Sequence, residues 1–352
     1  KDLASRIREA DDIKYNSRTI KSSKKDYNSK NIFTHRLPPL EGDKVTFIGS
    51  TFMYFGECDP YLNHGICLGD CNEFEIENSK CEIICCDEKE DIHDNERDVL
   101  LEWKRMLQQH QPDIIIGYNI FGFDWKFLCD RATELKCFEP DEYGDDGEWF
   151  CQISKNRKSQ SKTAEKTIKI ASGEHNLTYL DMDGIIQIDL YNYFRREVNL
   201  SSYKLQSVAS HFIGDMVKKW EICRKTKTTK LYSGNLTGLQ RENFVCFEMI
   251  GHSSDKYEDG AKFRVIDLDE STGIFTIEGV IIPDEDKKLR WGLGKDDISV
   301  SDLFQAFSES GTIEDRTKIA RYCFQDCNLV HHLLRKNDIL TGNLSSKNCF
   351  AS

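Results

Sequence analysis

The sequence lacks the features that would direct a chain to or across a membrane. No apolar run reaches the length that spans a bilayer, and no signal-peptide pattern opens the chain. Internal repeats and low-complexity tracts are missing as well. Because this secretory context is absent, we interpret the 14 cysteines as mostly reduced intracellular thiols. The chain starts with Lys1 instead of Met, so we expect a fragment or a trimmed chain.

Basic residues are also fewer than acidic residues, 48 against 60. The formal net charge is −12, whereas proteins that bind nucleic acids are usually basic. An acidic chain is nevertheless compatible with a site that holds metal ions on carboxylates. Basic residues concentrate in two segments that are rich in Ser, Asn or Thr, residues 18–30 and 155–169. These segments are either solvated loops or contacts to phosphate groups, and the sequence leaves both interpretations open.

The pattern of apolar residues predicts an α/β domain. With 39% apolar and 31% charged residues, the 352-residue chain suits one large soluble domain or two modest ones. After a polar segment over residues 1–40, we predict strands in "DKVTFIGSTFMYFG" and "NHGICLGDC", which form a meander, and in "KCEIICCDE". A helix capped by Asp94 or Asn95 follows. Its predicted apolar stripe is Val99, Leu100, Trp103, Met106 and Leu107. The run "DIIIGY" then suits a central strand, followed by a helix over residues 124–136.

The second half of the chain adds a β-rich segment between helices. The stretch "IIQIDLYNYFRREVNLSSYKLQSVASHFIGD" predicts a strand and two helices, the second capped by Ser201 or Ser202 and ended by Gly214. Residues 217–292 change to short β-strands with "DESTG" as a hairpin turn, so we interpret them as an insertion. Helices are predicted in "SVSDLFQAFSES" and over residues 313–335. The result is a mixed sheet flanked by helices over residues 41–340, compatible with a ribonuclease-H-like fold.

Asp326 is an acid on the apolar face of the last predicted helix. That face also carries Ile319, Tyr322, Cys323, Leu329, Val330 and Leu333 at steps of three and four residues. A buried carboxylate without a partner is costly, and the cost disappears if it meets a cation or a full set of donors. Tyr322 lies one turn earlier, so its hydroxyl and the Asp326 carboxylate can point to one place.

Asp124 is a second acid at the edge of an apolar segment, in "DIIIGYNIFGFDWKFLCDRA". Its simpler role is a helix cap or a charge at a helix N-terminus. Its alternative role is a metal ligand at the carboxyl end of a central strand, where open α/β sheets place their sites. Together with Asp326 it predicts a shared site suited to two-metal hydrolysis of phosphodiesters.

Several stretches resemble motifs of the family B DNA polymerases. "GYNIFGFDWKF" resembles the second exonuclease motif, Asn-x-x-x-Phe-Asp, and "YCFQDCNL" resembles the third, Tyr-x-x-x-Asp on a helix. "IDLYNYFRREVNLSSYKLQSVASHFIGD" is similar to the segment between them, and "DKVTFIGSTFMYFGE" to the upstream hairpin. This ordered set covers roughly residues 44–340. The β-rich segment and "RWGLGKDDISVSDLF" most resemble the polymerases of nucleocytoplasmic large DNA viruses.

The resemblance implies roles for individual residues. Asp124 and Asp326 would bind Mg²⁺ or Mn²⁺ in a two-metal site, and Tyr322 would position the attacking water. The frayed 3′ end would be contacted by Asn119, Phe121 and Phe123, with Phe123 stacking on bases.

Some family motifs have no counterpart. Nothing before Asp43 fits the first exonuclease motif, Asp-x-Glu, and "IDLDES" at Ile266–Ser271 lies in the wrong order, so we interpret it as a hairpin end. The polymerase motifs Ser-Leu-Tyr-Pro and Asp-Thr-Asp-Ser are absent too. We therefore expect residues 341–352 to begin the connection to a missing polymerase domain, and we expect the chain alone to be inactive or nearly so.

Other chemistry-bearing residues have simpler interpretations. Two C-x3-C pairs could bind zinc, although core thiols are favoured; the pairs are Cys67 with Cys71 and Cys81 with Cys85. His331 and His332 are adjacent on a helix, so at least one is expected to be solvated. Asp181 and Asp183 suit a turn, and Asp189 suits a helix cap.

The sequence thus predicts the exonuclease region of a replicative DNA-directed DNA polymerase, in which proofreading removes mispaired 3′ ends. The expected partners of the intact enzyme are single-stranded 3′ ends, primer-template DNA, deoxynucleoside triphosphates and a processivity factor. The expected location is intracellular, in the host nucleus or a cytoplasmic viral factory. Two alternatives stay open: a stand-alone 3′–5′ exonuclease of the same fold, and a non-catalytic DNA-binding or scaffold module.

Overall fold

The computed structural model describes residues 41–340 apart from residues 58, 77, 141–146, 157–158, 171–172, 285 and 295–297. The predicted polar segment 1–40, the basic residues 18–30 within it and the predicted connection 341–352 lie outside the described residues. From Lys44 onward the described residues belong to one compact unit. Among them, no helix has both the length and the apolar character needed to cross a bilayer.

The first sheet contains three strands in the order β1-β2-β3. Their bounds are Phe47–Phe52 for β1, Leu62–Leu68 for β2 and Lys80–Cys86 for β3. β1 and β2 pair antiparallel as expected, whereas β3 pairs parallel with β2, so the segment between β2 and β3 crosses over instead of extending the meander. β2 is buried along its whole length because it is the central strand.

Helix α1 (Ile92–His110) packs on this sheet. The predicted apolar stripe is confirmed, since all five of its residues are buried. The predicted cap is wrong, because Asp91 caps the helix through a hydrogen bond to the His93 amide. Asn95 instead folds back onto the preceding loop, where its side chain bonds both the amide and the carbonyl of Lys89 at 2.9 Å.

A buried ion pair joins α1 to helix α2 (Trp125–Glu134). Arg131 donates from Nε and Nη2 to the two carboxylate oxygens of Glu96 at 2.7 and 2.6 Å. The same carboxylate accepts the backbone N–H of Val45 at 2.8 Å. Since Glu96 and Arg131 are almost fully buried, this pair holds α1, α2 and the start of the first sheet together.

A second, parallel pair of strands lies beside α2. β4 pairs with β7 in register, and an antiparallel hairpin, β5 with β6, comes between them in sequence. The bounds are Ile114–Gly117, Lys162–Ile170, Gly173–Asp181 and Ile186–Asp189 for β4, β5, β6 and β7. The hairpin corrects the loop interpretation for residues 162–169, whereas the described residues before Lys162 in that segment form no strand. The β-branched residues Thr163, Thr167, Ile168 and Ile170 were its signal.

Residues 214–294 form a closed antiparallel β-barrel. Its order is β8-β9-β13-β12-β10-β14, and β14 pairs again with β8. The strands are Gly214–Cys223, Thr228–Ser233, Phe244–Ile250, Ser254–Lys256, Lys262–Asp269, Ile274–Glu278 and Lys288–Gly294 for β8 to β14. β12 pairs with the first half of β10, and β11 pairs with its second half. Trp291 is fully buried inside the barrel, where its indole N–H donates to Ser233 Oγ at 2.9 Å.

Four helices complete the described structure. They are α3 (Leu190–Glu197), α4 (Leu205–Phe212), α5 (Val300–Ala306) and α6 (Ile313–Lys336). Helix α4 begins after Lys204 without a side-chain cap, so the predicted cap at Ser201 or Ser202 is wrong, and Gly214 already belongs to β8. Helix α6 covers β1, and Thr312 and Asp315 form a capping box at its start.

The cysteine and histidine alternatives can be compared with these positions. Cys71 and Cys85 lie close together, with the Cys71 amide 3.2 Å from Cys85 Sγ. Within the described ranges, however, no group of three His, Cys, Asp or Glu side chains could hold a metal ion, so the zinc alternative has no support. The described cysteines are free thiols.

His331 and His332 are both half-buried, contrary to the expectation that at least one is solvated. His331 Nε2 lies 2.8 Å from Thr51 Oγ1, and His332 packs near Gly238. Desolvation lowers the pKa of both rings, that of His332 to about 4. The expectation failed because α6 is covered on two sides at this point.

Candidate active site

The turn after β4 is held by one buried carboxylate. Asp189, at the end of β7, accepts the backbone N–H of Asn119 at 2.7 Å and that of Phe121 at 3.1 Å. It also accepts the Tyr191 amide at 3.0 Å, which makes it the N-cap of α3, as predicted. Asn119 has a left-handed conformation with φ of 66°. Asp189 therefore fixes the turn from which the candidate site residues project, a role that sequence reasoning missed.

Two glycines allow this turn to close tightly. A Cβ on Gly122 would lie 2.3 Å from Asn119 Oδ1, and a Cβ on Gly117 would lie 2.2 Å from Ile120 Cγ2. The turn continues as a π-helical turn, Ile120–Asp124, which runs directly into α2. Such turns are often found at functional sites.

Asp124 is the last residue of the π-helical turn. Its side chain reaches solvent, yet protein surrounds it closely enough that desolvation raises the pKa of its carboxyl to about 6. The negative charge of Asp189 also raises the pKa, and a backbone hydrogen bond opposes the shift. Asp124 is thus a carboxylate whose charge is poorly compensated by its described neighbours, which is the condition in which a cation is favoured.

Tyr322 and Asp326 lie one turn apart on α6 and line one cavity of about 660 Å³. Tyr118 and Asn119 line the same cavity from the β4 turn. The predicted buried face of α6 is only partly right, because Tyr322 and Asp326 are half-buried at its border. The most buried positions of α6 are Ile319, Ala320, Phe324, Asn328, Val330, Leu333 and Leu334.

The thiol of Cys327 is affected by the charges of both acids. Its pKa is raised by its hydrogen bond with Cys323 and by burial, and then by the negative charges of both Asp326 and Asp124. The Cys327 thiol also donates to the carbonyl of Gly49 in β1 at 3.5 Å. Asp124, at the end of the π-helical turn, and Asp326, on α6, therefore both lie near enough to Cys327 for their charges to act on it, but Asp124 is not among the residues that line the cavity. Among the described residues, however, the two acids and Cys327 do not form a group that could hold a metal ion, since no three His, Cys, Asp or Glu side chains do.

The two phenylalanines of the turn have different surroundings. Phe121 is half-buried and packs edge-on against Tyr179, with ring centroids 6.1 Å apart. Phe123 is 59% exposed and stacks on Phe127 at 5.6 Å with an interplanar angle of 11°. An exposed aromatic ring supported from one side by a second ring leaves its other face free for stacking.

Comparison with known proteins decides the family. Residues 26–208, just over half of the chain, match the family model described as DNA polymerase family B, exonuclease domain. The chain belongs to this exonuclease-domain family. The resemblance found in the sequence is therefore confirmed.

The curated relatives of this exonuclease domain include viral and cellular polymerases. The DNA polymerase of Phaeocystis pouchetii virus is 37% identical over 88% of the chain and 30% of its own length. That of Pyramimonas orientalis virus is 33% identical over 89% of the chain and 22% of its own length. The DNA polymerase delta catalytic subunit of Oryza sativa subsp. japonica is 32% identical over 51% of the chain and 14% of its own length. The chain thus spans less than a third of the length of these relatives.

The exonuclease domain also lines its cavity with polar residues that sequence reasoning passed over. They include Arg195, Lys204, Gln240 and Asn243. The Arg195 guanidinium lies 5.2 Å from the centroid of the Tyr191 ring and 3.4 Å from His175 Nδ1. The stretch "YNYFRREVNLSSYK" indicates this contact between Arg195 and Tyr191, because an arginine four residues after a tyrosine lies on the same face of a helix.

We expect Asp189→Ala to lower the free energy of unfolding by about 3 kcal/mol, because it leaves the backbone donors of the β4 turn and α3 without their acceptor. Asp189→Asn keeps one side-chain oxygen and should cost less. Asp181→Ala, at an exposed position of β6, is the matched control and should change stability by less than about 0.5 kcal/mol. Urea unfolding measures all three. Equal losses in Asp189→Ala and Asp181→Ala would contradict the assigned role.

Proposed function

We propose that this chain is the 3′–5′ proofreading exonuclease portion of a replicative DNA-directed DNA polymerase. The observation that carries the proposal is that Tyr322 and Asp326 of α6 line one cavity together with Asn119, which begins the turn that ends at Asp124. Membership in the exonuclease-domain family supports the same assignment.

The two carboxylates fit a divalent cation, since hard cations take oxygen ligands and Asp124 lacks a compensating charge among its described neighbours. Asp124 and Asp326 would hold Mg²⁺ or Mn²⁺, which when bound supplies activation of water and stabilisation of the leaving oxygen. Tyr322 would orient the attacking water through its hydroxyl. Asn119 and Phe123 would hold the frayed 3′ end, with Phe123 stacking on a base and Phe121 supporting the turn from the core.

The arrangement of strands supports a ribonuclease-H-like fold for the domain over residues 41–340. Among the described residues, β1 pairs only with β2, and β4 pairs only with β7. An added strand that carries Asp-x-Glu would pair with these edges. In this proposal the barrel corresponds to an insertion over residues 217–292, and residues 341–352 begin the connection to a polymerase domain.

The proposal extends to the partners of the intact enzyme. They are single-stranded 3′ ends, primer-template DNA, deoxynucleoside triphosphates and a processivity factor. An intracellular location follows from this role, in a host nucleus or a cytoplasmic viral factory.

We expect the 352-residue chain alone to trim single-stranded 3′ ends far more slowly than the intact polymerase, because no Asp-x-Glu precedes Asp43 in it. It should still bind Mn²⁺ weakly, and Asp124→Ala and Asp326→Ala should each weaken that binding. Gel assays of 3′ trimming and electron paramagnetic resonance of free Mn²⁺ measure the two properties. Trimming at the rate of the intact enzyme would favour a stand-alone nuclease, and Mn²⁺ binding unaffected by either substitution would favour a non-catalytic module.

A further inference from the structure

The β8–β9 hairpin of the barrel is strongly basic in an acidic chain. Between Val217 and Tyr232 it carries six basic side chains and one acidic side chain, Glu221, whereas the whole chain has a net charge of −12. All six basic side chains are exposed. They are Lys218, Lys219, Arg224, Lys225, Lys227 and Lys230.

The other basic residues on the barrel surface are mostly neutralised by carboxylates. Arg264 bonds Glu242 and Glu278, and Lys287 bonds Asp255 at 2.8 Å. Within the hairpin, Lys219 pairs with Glu221, but Arg224, Lys225 and Lys227 at the turn form no salt bridge with any described carboxylate. Like charges concentrated without partners repel one another, so a surface of this kind is stabilised by an external polyanion.

The turn that carries these charges is well defined. The Lys227 carbonyl accepts the Gly279 N–H at 2.8 Å, which ties the turn to the end of β13. The hydroxyls of Thr226 and Thr228 lie 2.8 Å apart and brace the turn from within. The basic side chains therefore project from a fixed backbone, and binding a polyanion there orders little besides the side chains themselves.

Both aromatic rings of the hairpin, Trp220 and Tyr232, are half-buried, and Trp220 packs against the core of the barrel. Tyr232 on its outer face is flanked by the ammonium groups of Lys219 and Lys230, which lie 5.2 and 5.8 Å from its ring centroid. Proteins that hold single strands combine positive charge with exposed aromatic platforms, whereas contacts to a duplex backbone need charge alone. Because the ring of Tyr232 is covered, the hairpin favours binding of a duplex over binding of a single strand.

We propose that the β8–β9 hairpin binds the phosphate backbone of double-stranded DNA, as a contact separate from the candidate active site. The proposal rests on the proposed function only in taking DNA as the partner. The duplex would lie against the barrel while its frayed 3′ strand enters the cavity beside Tyr322.

The test is duplex binding by the 352-residue chain, measured by fluorescence anisotropy with a blunt duplex of about 20 base pairs over a range of salt concentrations. Lys225→Gln with Lys227→Gln should weaken duplex binding about tenfold and lower the slope of log K against log salt by about 2. The matched control is Lys256→Gln with Lys288→Gln, two exposed barrel lysines without salt bridges to described residues, and it should leave both quantities nearly unchanged.

The proposal is overturned if the hairpin variant binds duplex as wild type does, or if the control variant loses as much. It is also overturned if the loss falls on single-stranded DNA only, or if polyglutamate binds through the same lysines and duplex does not. Loss of nuclease activity in Asp326→Ala tests the proposed function independently, so failure of one proposal leaves the other standing.

Discussion

Asp124→Ala or Asp326→Ala, introduced into the polymerase of which we propose this chain to be a part, should reduce 3′–5′ exonuclease activity by roughly a thousandfold. A bound divalent cation supplies several kcal/mol of transition-state stabilisation, and about 4 kcal/mol corresponds to three orders of magnitude in rate. Asp326 lines the cavity, Asp124 ends the turn that begins at Asn119 of the same cavity, and the charges of both act on Cys327, so each is expected to contribute to one metal site. The measurement is the single-turnover rate of removal of a 3′ nucleotide from single-stranded DNA.

The double variant gives the sharper result. If both carboxylates hold the same cations, the double substitution should cost little more than either single one, because residues that act as a unit are not additive. Asp130→Ala is the matched control on α2, where an exposed aspartate pairs only with Lys126 at 2.7 Å. It should change the rate by less than about twofold, since exposed pairs contribute at most about 1 kcal/mol to stability and none to the site. Fully additive losses would argue that the acids work at separate sites.

Glu96→Ala should lower the free energy of unfolding by about 3–5 kcal/mol, because it leaves the guanidinium of Arg131 buried without its main partner. It also removes the acceptor of the Val45 amide at the start of the first sheet. The measurement is equilibrium unfolding of the 352-residue chain in urea, followed by far-ultraviolet circular dichroism.

Glu134→Ala is the matched control for Glu96→Ala. Glu134 also bonds Arg131, at 2.8 Å, but its side chain is 38% exposed, so its removal should cost no more than about 1 kcal/mol. Replacing both partners, with Glu96→Leu and Arg131→Met, should recover most of the loss, since an apolar pair of similar volume avoids the buried charge. Equal costs for Glu96→Ala and Glu134→Ala would show that the buried pair is not what joins α1 to α2.

The sequence predicted the elements that depend on local patterns. The stripe of α1 was readable because apolar residues at helical spacing must face the core, and α6 ends within one residue of its predicted end. Caps were less predictable. Asp91, Asp94 and Asn95 all suit an N-terminus, and only packing shows that Asn95 bonds Lys89 instead.

The candidate site depends on contacts that no local pattern contains. Asp124 and Asp326 were found because acids on apolar faces are unusual, Tyr322 because it lies one helical turn before Asp326, and Asn119 through the family motif. The second role of Asp189 could not be inferred, since its bonds to Asn119 and Phe121 join residues about 70 positions apart in the chain. The closure of the barrel was equally hidden, because it depends on pairing of β14 with both β8 and β10.

That closure has a consequence for how the chain can change over time. The first and last strands of the barrel are hydrogen-bonded neighbours, with Gly214 opposite Gly292 and Asp215 opposite Trp291. The polypeptide therefore enters and leaves the barrel at two adjacent positions. Because the barrel is closed, none of its strands needs the rest of the molecule as a pairing partner. The barrel could therefore be shortened, replaced or deleted during evolution by changes at its two connecting segments. Such a change would leave the order of the strands around Asp124 and Asp326 intact.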